Sequence, residues 1–338
     1  MRILISSHVF SPSVGGTEQV SGILAAEFAA LGHEVRVVTQ TPAASEPAGQ
    51  LFQVFRQPSI GALFGLVGWC EVYFQSNISL ATLWPAWLLR RPVVVTYHTW
   101  LTRPDGRVSW KDRLKRVVAG FVSRNLGVSR EIAASVSKTC ATVPNPYRDD
   151  LFTLDPEGVR DRELVFLGRL VSDKGADLLV GALAGLRAAG RTPSLTIIGT
   201  GPEEVALRAQ VENLGLGAQV TFLGARIGPE LVRELNRHRI IVIPSRWREP
   251  FGLVALEGLA CGLVPVGADG GGLVDAIGPC GVLFARGDEQ GLAARLKELL
   301  EQPEKCRALL AQAPAHLAKH ARREVARTYL RHFEEVRA

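Results

Sequence analysis

The sequence predicts an α/β protein made of two doubly wound, Rossmann-like domains, and three observations predict it. At 338 residues the chain is long for one hydrophobic core, and chains of this size ordinarily divide. It carries 34 Gly, many of them between a short apolar run and a helical stretch, which is how strand-to-helix turns are punctuated. The order strand, turn, helix, strand occurs at the start and begins afresh after residue 160. With 47% hydrophobic and 21% charged residues, the composition is that of a soluble globular protein.

Taken in order, Arg2 to Ser7 is a buried strand, and the loop His8 to Thr17 holds Gly15-Gly16. A helix from about Thr17 to Leu31 and a strand over Val35 to Gln40 follow. A glycine pair at a helix start either lets backbone approach a ligand or makes an ordinary tight turn. Leu51 to Arg56 reads as a strand, Ile60 to Cys70 is apolar, and the run from Gly68 to Ser76 passes from a helix end into a strand. The strand Pro92 to Tyr97 ends at His98, at the sheet edge where parallel sheets bind ligands. On the residues alone, a lone histidine there is more simply read as a satisfied structural side chain.

The net charge of +6 is uneven: ten Lys or Arg and two acidic residues lie between Arg90 and Arg130, so +8 is concentrated there. Inside that stretch, over 102–124, Trp110, Leu114, Val117, Val118 and Phe121 are spaced for one helix face. Lys111, Arg113, Lys115, Arg116 and Arg124 spread over the rest. Such a segment reads as a surface helix packing its apolar side on the core, or as a peripheral contact with anionic lipid headgroups, and the two can coexist. Leu126 to Val128 is a short strand, Ser129 caps a helix, and Ala141 to Pro144 is a strand. A linker is expected over about 146–161, with Pro156 and Gly158 in it.

In the second half Glu163 to Gly168 is a strand, and Arg169, Lys174 and Gly175 precede a helix to about Ala189. Two cations in a strand-to-helix turn can hold a diphosphate, or each can pair with a surface carboxylate. The turn Gly199-Thr200-Gly201 is followed by Glu at 204, which breaks the dinucleotide fingerprint. Strands over Val220 to Leu223 and Ile240 to Pro244, with a helix Pro229 to Asn236 between them, lead into Ile243 to Asp275. There Pro250 is expected to start a helix reaching Cys261, Val264 to Gly267 to form a strand, and Gly270 to Gly272 to open a second helix. Glu249, preceding a proline, belongs in the loop, and Glu257 about two turns inside the helix. Free amides at Phe251, Gly252 and Leu253 would carry the positive end of the helix dipole, a place for phosphate flanked by carboxylates that accept sugar hydroxyls. The tail, Glu289 to Leu300 and Pro303 to Ala338, is helical, with Tyr329, Leu330 and Phe333 as an apolar stripe.

Cys70, Cys140, Cys261, Cys280 and Cys306 are odd in number, scattered and without metal-ligand spacing, which points to free thiols in a reducing cytoplasm. The start is too short an apolar run for a signal peptide. No stretch reaches a membrane span; Ile78 to Leu89 comes nearest and holds Pro85.

The string Glu249-Pro250-Phe251-Gly252, with Glu257, Ala260, Gly262, Pro265 and Gly271-Gly272, resembles the retaining glycosyltransferases of family 4, which have the GT-B fold. Gly168-Arg169-Leu170 with Lys174-Gly175, the turn Gly199 to Pro202, and Val95-Thr96 with His98 are similar to that family as well. The resemblance implies an acceptor-side domain over 1–150, joined by about 320–338 crossing back to it, and a donor-binding domain over 160–318, facing across a cleft. It implies transfer of a sugar from a UDP- or GDP-linked donor, with retention, to a glycan or lipid-linked acceptor hydroxyl in envelope glycan, polysaccharide or glycolipid synthesis. Arg169, Lys174 and the helix start at Phe251, Gly252 and Leu253 would stabilise the leaving diphosphate, helped by amides of Gly271 and Gly272. Glu257 would accept the ribose hydroxyls, Glu249 would orient the sugar, His98 would face it from the other wall, and Gly15-Gly16 would face the donor phosphates or sugar. No cofactor is implied: protein cations replace a metal, and no D-x-D motif stands out. The implied location is cytoplasmic, peripheral on the inner face of the cell membrane if 102–124 meets lipid.

Two departures stand out. Pro146 replaces the glycine of the family's P-N-G, and the family's G-G-x-P-E loop ends here in Asp275. Rival readings are a GT-B nucleotide-sugar epimerase and a non-catalytic nucleotide-binding relative. A dehydrogenase lacks its fingerprint, and the +8 segment has no interleaved stacking aromatics of a nucleic-acid module, so no nucleic-acid partner is expected.

Overall fold

The computed structural model describes residues 1–13, 15–42, 49–101 and 109–337, and the chain divides into two compact units. Unit 1 is Met1–Tyr147 with His320–Ala338, and unit 2 is Arg148–Lys319. Part of the basic segment, 102–108, lies outside the described residues.

Unit 1 runs β1 (Arg2–Ser7), α1 (Gly16–Ala30), β2 (Glu34–Thr39), β3 (Gln53–Arg56), α2 (Ile60–Trp69), β4 (Val72–Ser76), α3 (Leu80–Leu88), β5 (Val93–Tyr97), α4 (Trp110–Ala119), β6 (Arg124–Gly127), α5 (Arg130–Val136) and β7 (Ala141–Thr142). Its strands are all parallel, in the order β3-β2-β1-β4-β5-β6-β7. The central strands β1, β4 and β5 are near-continuous Ile, Leu, Val, Tyr and Phe because helices cover both faces.

Unit 2 runs β8 (Leu164–Leu167), α6 (Ala176–Ala188), β9 (Leu195–Ile198), α7 (Glu204–Asn213), β10 (Val220–Gly224), α8 (Gly228–Asn236), β11 (Ile240–Ile243), α9 (Leu253–Ala260), β12 (Val264–Ala268), α10 (Leu273–Ile277), β13 (Val282–Phe284), α11 (Glu289–Glu301), α12 (Pro303–Leu310) and α13 (Ala313–Ala318). Its parallel sheet has the order β10-β9-β8-β11-β12-β13. Leu179, Leu183, Ile197, Val242, Val266 and Leu296 sit in its core.

The tail is not one helix. Pro314, in the first turn of α13, has no N–H to give to the preceding turn, so the helical run breaks there. Helix α14 (Arg322–Arg337) then rejoins unit 1. Its Tyr329 and Phe333 close an aromatic cluster with Phe28 of α1 and Phe74 of β4, with ring centroids 5.3–5.4 Å apart for Phe74–Phe333, Phe28–Phe333 and Phe74–Tyr329. All four rings are fully buried.

Helix α4 overturns one of the two expectations for the basic segment. Its apolar stripe does not pack on the core: Trp110 is 70% exposed, Val117 59% and Phe121, just past its end, 72%. Only Val118 and Ala119 are buried. Ser109 and Asp112 close the helix start in a capping box, and Asn125 of β6 donates to the Ala119 carbonyl at 2.8 Å, which ties the last turn, with Val118 and Ala119, to unit 1.

Phe333→Ala should destabilise unit 1 by about 3–5 kcal/mol, because a fully buried aromatic leaves a cavity between α1, β4 and α14. Urea unfolding followed by a probe in unit 1 measures this; a loss below about 1 kcal/mol would mean that α14 is not part of its core.

Candidate active site

Each sheet reverses its strand order once: between β1 and β4 in unit 1, and between β8 and β11 in unit 2. At such a switch the loops leaving two neighbouring strands diverge and open a crevice at the carboxyl edge, where open α/β sheets bind ligands. The residues singled out from the sequence collect at or beside these two places.

In unit 2, β8 leads through Arg169 to a 3₁₀ turn, Ser172–Lys174, and then to Gly175 at φ 67°. A side chain at Gly175 would overlap the Pro244 carbonyl at the end of β11, so glycine lets the two loops touch. The Asp173 carbonyl accepts from Arg246 N and Trp247 N at 2.9 and 3.2 Å, tying the loops together. Across this seam Lys174 Nζ meets Glu249 Oε1 at 2.5 Å. Ser245 Oγ donates to the same oxygen at 2.7 Å, and Glu249 is 8% exposed. Oε2 of Glu249 accepts no hydrogen bond among the described residues.

The loop after β12 is clamped to Glu249 too. Gly272 N donates to the Glu249 carbonyl at 2.7 Å, and a side chain at Gly271 (φ 71°) would overlap that carbonyl. One of the two glycine amides expected to face a ligand therefore holds the loop instead. Helix α9 starts at Leu253, not at Pro250. Gly252, at φ 103°, lies outside helical space, and the Gly272 clamp keeps the two residues after Glu249 in the loop. Phe251 is buried, and Ala255 N is already bonded to the Gly252 carbonyl, which leaves the N–H groups of Gly252, Leu253 and Val254 at the helix start. Glu257 is the fifth helical residue, little more than one turn in, and is buried. Arg169 is exposed and pairs with no carboxylate among the described residues. Its neighbour Leu170 is bonded to the loop after β9, donating to Thr200 O at 2.9 Å and accepting from Glu203 N at 3.0 Å.

In unit 1 the groups between β1 and β4 are neutral, and a single carboxylate, Glu18, stands at the start of α1. Ser7 of β1, Ser21 of α1 and Ser76 of β4 form a buried hydroxyl chain, with 3.2 and 2.9 Å links. The next residue, Asn77, accepts from the His98 backbone N at 2.8 Å through Oδ1. His98 is buried, and neither ring nitrogen has a partner in hydrogen-bonding geometry. Burial pulls its pKa down to about 4, against a smaller opposing contribution from Asn145, so the ring is neutral near pH 7. Helix α1 begins at Gly16, and Gly15 is extended, at φ −176°. The Glu18 carboxylate folds over it: Ser13 Oγ donates to Glu18 Oε1 at 3.3 Å, and a side chain at Gly15 would press on Glu18 Oε2. The positive end of α1 is thus faced by its own chain's carboxylate.

Gly15, Gly16 and His98 therefore belong to unit 1, and Arg169, Lys174, Glu249, Phe251, Gly252, Leu253, Glu257, Gly271 and Gly272 to unit 2. Sequence reasoning gave no role to Ser245, although it stands in the string Pro244-Ser245-Arg246 just before Glu249. Asn77 and the serine chain carried no sequence signal, because each acts through a long-range contact. Among the described residues no group of three His, Cys, Asp or Glu could hold a metal ion, and no helix is long and apolar enough to cross a membrane.

Two models of known families match the chain: "Glycosyl transferases group 1" over residues 155–316 and "Glycosyltransferase Family 4" over 14–147. The chain is 27% identical to a glycogen synthase of Mycobacterium tuberculosis, over 90% of this chain and 87% of that one. It is 33% identical to a D-inositol 3-phosphate glycosyltransferase of Rhodococcus opacus, over 48% of this chain and 38% of that one. Among solved structures, HepE of Anabaena in complex with UDP and glucose superposes with a TM-score of 0.81 at 21% identity, over 99% of this chain and 100% of that one. The sucrose-phosphate synthase of Thermosynechococcus elongatus gives 0.79 at 21% identity, over 99% and 98%. Both likenesses show the GT-B fold.

Two expectations follow from this geometry. Ser245→Ala should lower the stability of unit 2 by about 1.5–3 kcal/mol, as expected for a hydrogen bond to a buried charge, measured by denaturant unfolding. An unchanged midpoint would mean that Lys174 alone holds Glu249. The His98 ring titrates near 6.5 in the unfolded chain and at about 4 in the fold, so the unfolded state takes up the proton first as pH falls. His98 should therefore cost the fold nothing above about pH 6.5 and lower its stability progressively down to about pH 4, by roughly 3 kcal/mol in total. The slope of stability against pH in that window should be shallower in His98→Gln; equal slopes would show that the ring is not buried neutral.

Proposed function

Given that the chain belongs to the family 4 glycosyltransferases, we propose that it moves one sugar from a nucleotide diphosphate to an acceptor hydroxyl, with unit 2 holding the donor. The observation that carries the reading is the unit 2 switch point: Arg169 is free of carboxylates among the described residues, and Lys174 is locked on Glu249 beside the loop that leads into α9. The solved relative HepE binds UDP and glucose, which supports a nucleotide-sugar donor here.

The chemical demand is to stabilise a leaving diphosphate and a developing oxocarbenium ion. Arg169 and the two spare N–H groups of Lys174 answer the first, together with the amides at Gly252, Leu253 and Val254. These cations do the work that a metal does elsewhere, so we assign no cofactor. Glu257 accepts the ribose hydroxyls. Glu249 orients the transferred sugar through Oε2, the oxygen not taken by Lys174 and Ser245. His98, neutral and with one donor and one acceptor nitrogen unspent, serves a sugar hydroxyl. We assign retention by front-face attack, in which the departing phosphate takes the acceptor proton and no protein nucleophile is used. The cysteines fit that reading: burial raises Cys70 and Cys261 to about 12, far from thiolate at neutral pH. We further assign a cytoplasmic location and a glycan or lipid-linked acceptor.

Thermal stability of the wild type and of Arg169→Ala, with UDP, GDP, ADP and their common sugar conjugates, tests the donor site. One nucleotide should stabilise the wild type by about 2.7 kcal/mol at a hundred times its Kd, and the gain should shrink in the variant. Glu257→Ala should weaken the same nucleotide about tenfold or more. No rise with any nucleotide would overturn the reading, and donor turnover without acceptor would move the assignment to an epimerase.

A further inference from the structure

Helix α4 has its apolar side outward. Trp110, Leu114 and Val117 recur at i, i+4 and i+7, and so fall within a sector of roughly 60°. All three are exposed, as is Phe121 one turn on. Arg113 adjoins that sector, and Lys111 and Arg116, further round the helix, are exposed with it. Val118 and Ala119, at the helix end, are the only buried residues of the helix. An ordinary surface helix has the reverse arrangement.

Helix α3 extends the surface. The strands β4, β5 and β6 are neighbours in that order, and the connections through α3 and α4 step the same way across the sheet. Right-handed crossovers then place the two helices on the same face of the sheet. On α3, Trp84, Trp87 and Leu88 are exposed at 42, 40 and 68%, with Trp84 edge-on to Phe64 at 5.0 Å, and Arg90 just past the helix end is exposed. Three tryptophans, a phenylalanine, two leucines and a valine are thus open to solvent among at least four cations.

We propose that the α3–α4 face is a docking surface for an anionic lipid bilayer. Tryptophans suit the headgroup level, the aliphatic side chains the acyl boundary, and the flanking cations the anionic headgroups. A second copy of the chain fits less well. Pairing like faces would bring the exposed cations Arg90, Lys111, Arg113 and Arg116 of one copy against those of the other, with Asp112 the one acidic residue of α4 to offset them. The surface lies in unit 1 and is independent of the donor residues of unit 2, but it deepens the reading above: an enzyme held on lipid meets an acceptor that is itself carried in lipid.

The test uses the full chain with sedimenting vesicles of phosphatidylcholine, with and without about 30 mol% phosphatidylglycerol, at about 50 and 500 mM salt. Binding is expected only to the anionic vesicles and should weaken at high salt. Lys111→Glu with Arg113→Glu should reduce the partition coefficient by about tenfold or more, and Trp110→Ser with Val117→Ser should reduce it at both salt concentrations. Circular dichroism and the nucleotide-induced rise in melting temperature should be unchanged in both double variants. That second readout separates failure of this proposal from failure of the transferase assignment. Failure to bind, or equal binding to both vesicle types, overturns the proposal. So does a dimer in light scattering that Trp110→Ser with Val117→Ser disperses, since the face would then be a self-association surface.

Discussion

Lys174 and Glu249 leave the neighbouring strands β8 and β11 at the point where the strand order of unit 2 reverses, and their ion pair spans that point. A carboxylate as buried as Glu249 is costly without a partner, so Lys174 and Ser245 are conditions of its being there. The same residue holds the next loop through its backbone, since its carbonyl takes the Gly272 N–H. The turn after β8, the loop after β11 and the glycine loop after β12 are therefore one connected body. A site organised in this way has its charged groups in position before a ligand arrives, which is the condition under which fixed dipoles and charges stabilise a leaving group best. Gly175 and Gly271 belong to the same construction. Each stands where a side chain would overlap a backbone carbonyl of the facing loop, so close contact between loops, more than turn-making, explains them.

The two switch points are chemically unlike. In unit 2 the groups are charged: a guanidinium open to solvent, an ammonium, two buried carboxylates and a helix start. In unit 1 the corresponding edge holds a serine chain, Asn77 and a histidine that burial keeps neutral, and the positive end of α1 is faced by Glu18. On the function proposed above, a diphosphate would find the charge it needs in unit 2, and hydroxyl groups would meet in unit 1 neutral donors and acceptors that lose little on desolvation. This difference supports giving the donor to unit 2 more directly than fold likeness does, because both units share one strand plan.

The strand plan was readable because parallel strands covered on both faces are continuous apolar runs, as in Val93–Tyr97 and Ile240–Ile243. The chemistry of unit 2 was readable because its residues sit close together in sequence, in strings such as Gly168 to Gly175 and Pro244 to Gly252. Helix boundaries were less so. Proline at 250 is a good first helical residue on propensity, but the bond from Gly272, over twenty residues away, keeps it in the loop. Ser245 was visible in the string and given no role, since nothing local says that its hydroxyl turns to Glu249. The serine chain of unit 1 joins positions 14 and 55 residues apart, and no window of sequence shows such a pairing.

Helix α4 shows a further limit of pattern reading. Its spacing of Trp110, Leu114 and Val117 states that one side is apolar, and an amphipathic helix in a globular domain ordinarily turns that side inward. Periodicity contains no information about rotation. Rotation is set by contacts outside the helix, and here the Asn125 bond to the Ala119 carbonyl holds the last turn, with Val118 and Ala119 buried beside it. The Ser109 capping box is internal to the helix start and sets no rotation. The large apolar residues are then surplus to the packing of unit 1. Their exposure is a cost to the isolated chain, and the bilayer proposed above, being both apolar and anionic, would offset it.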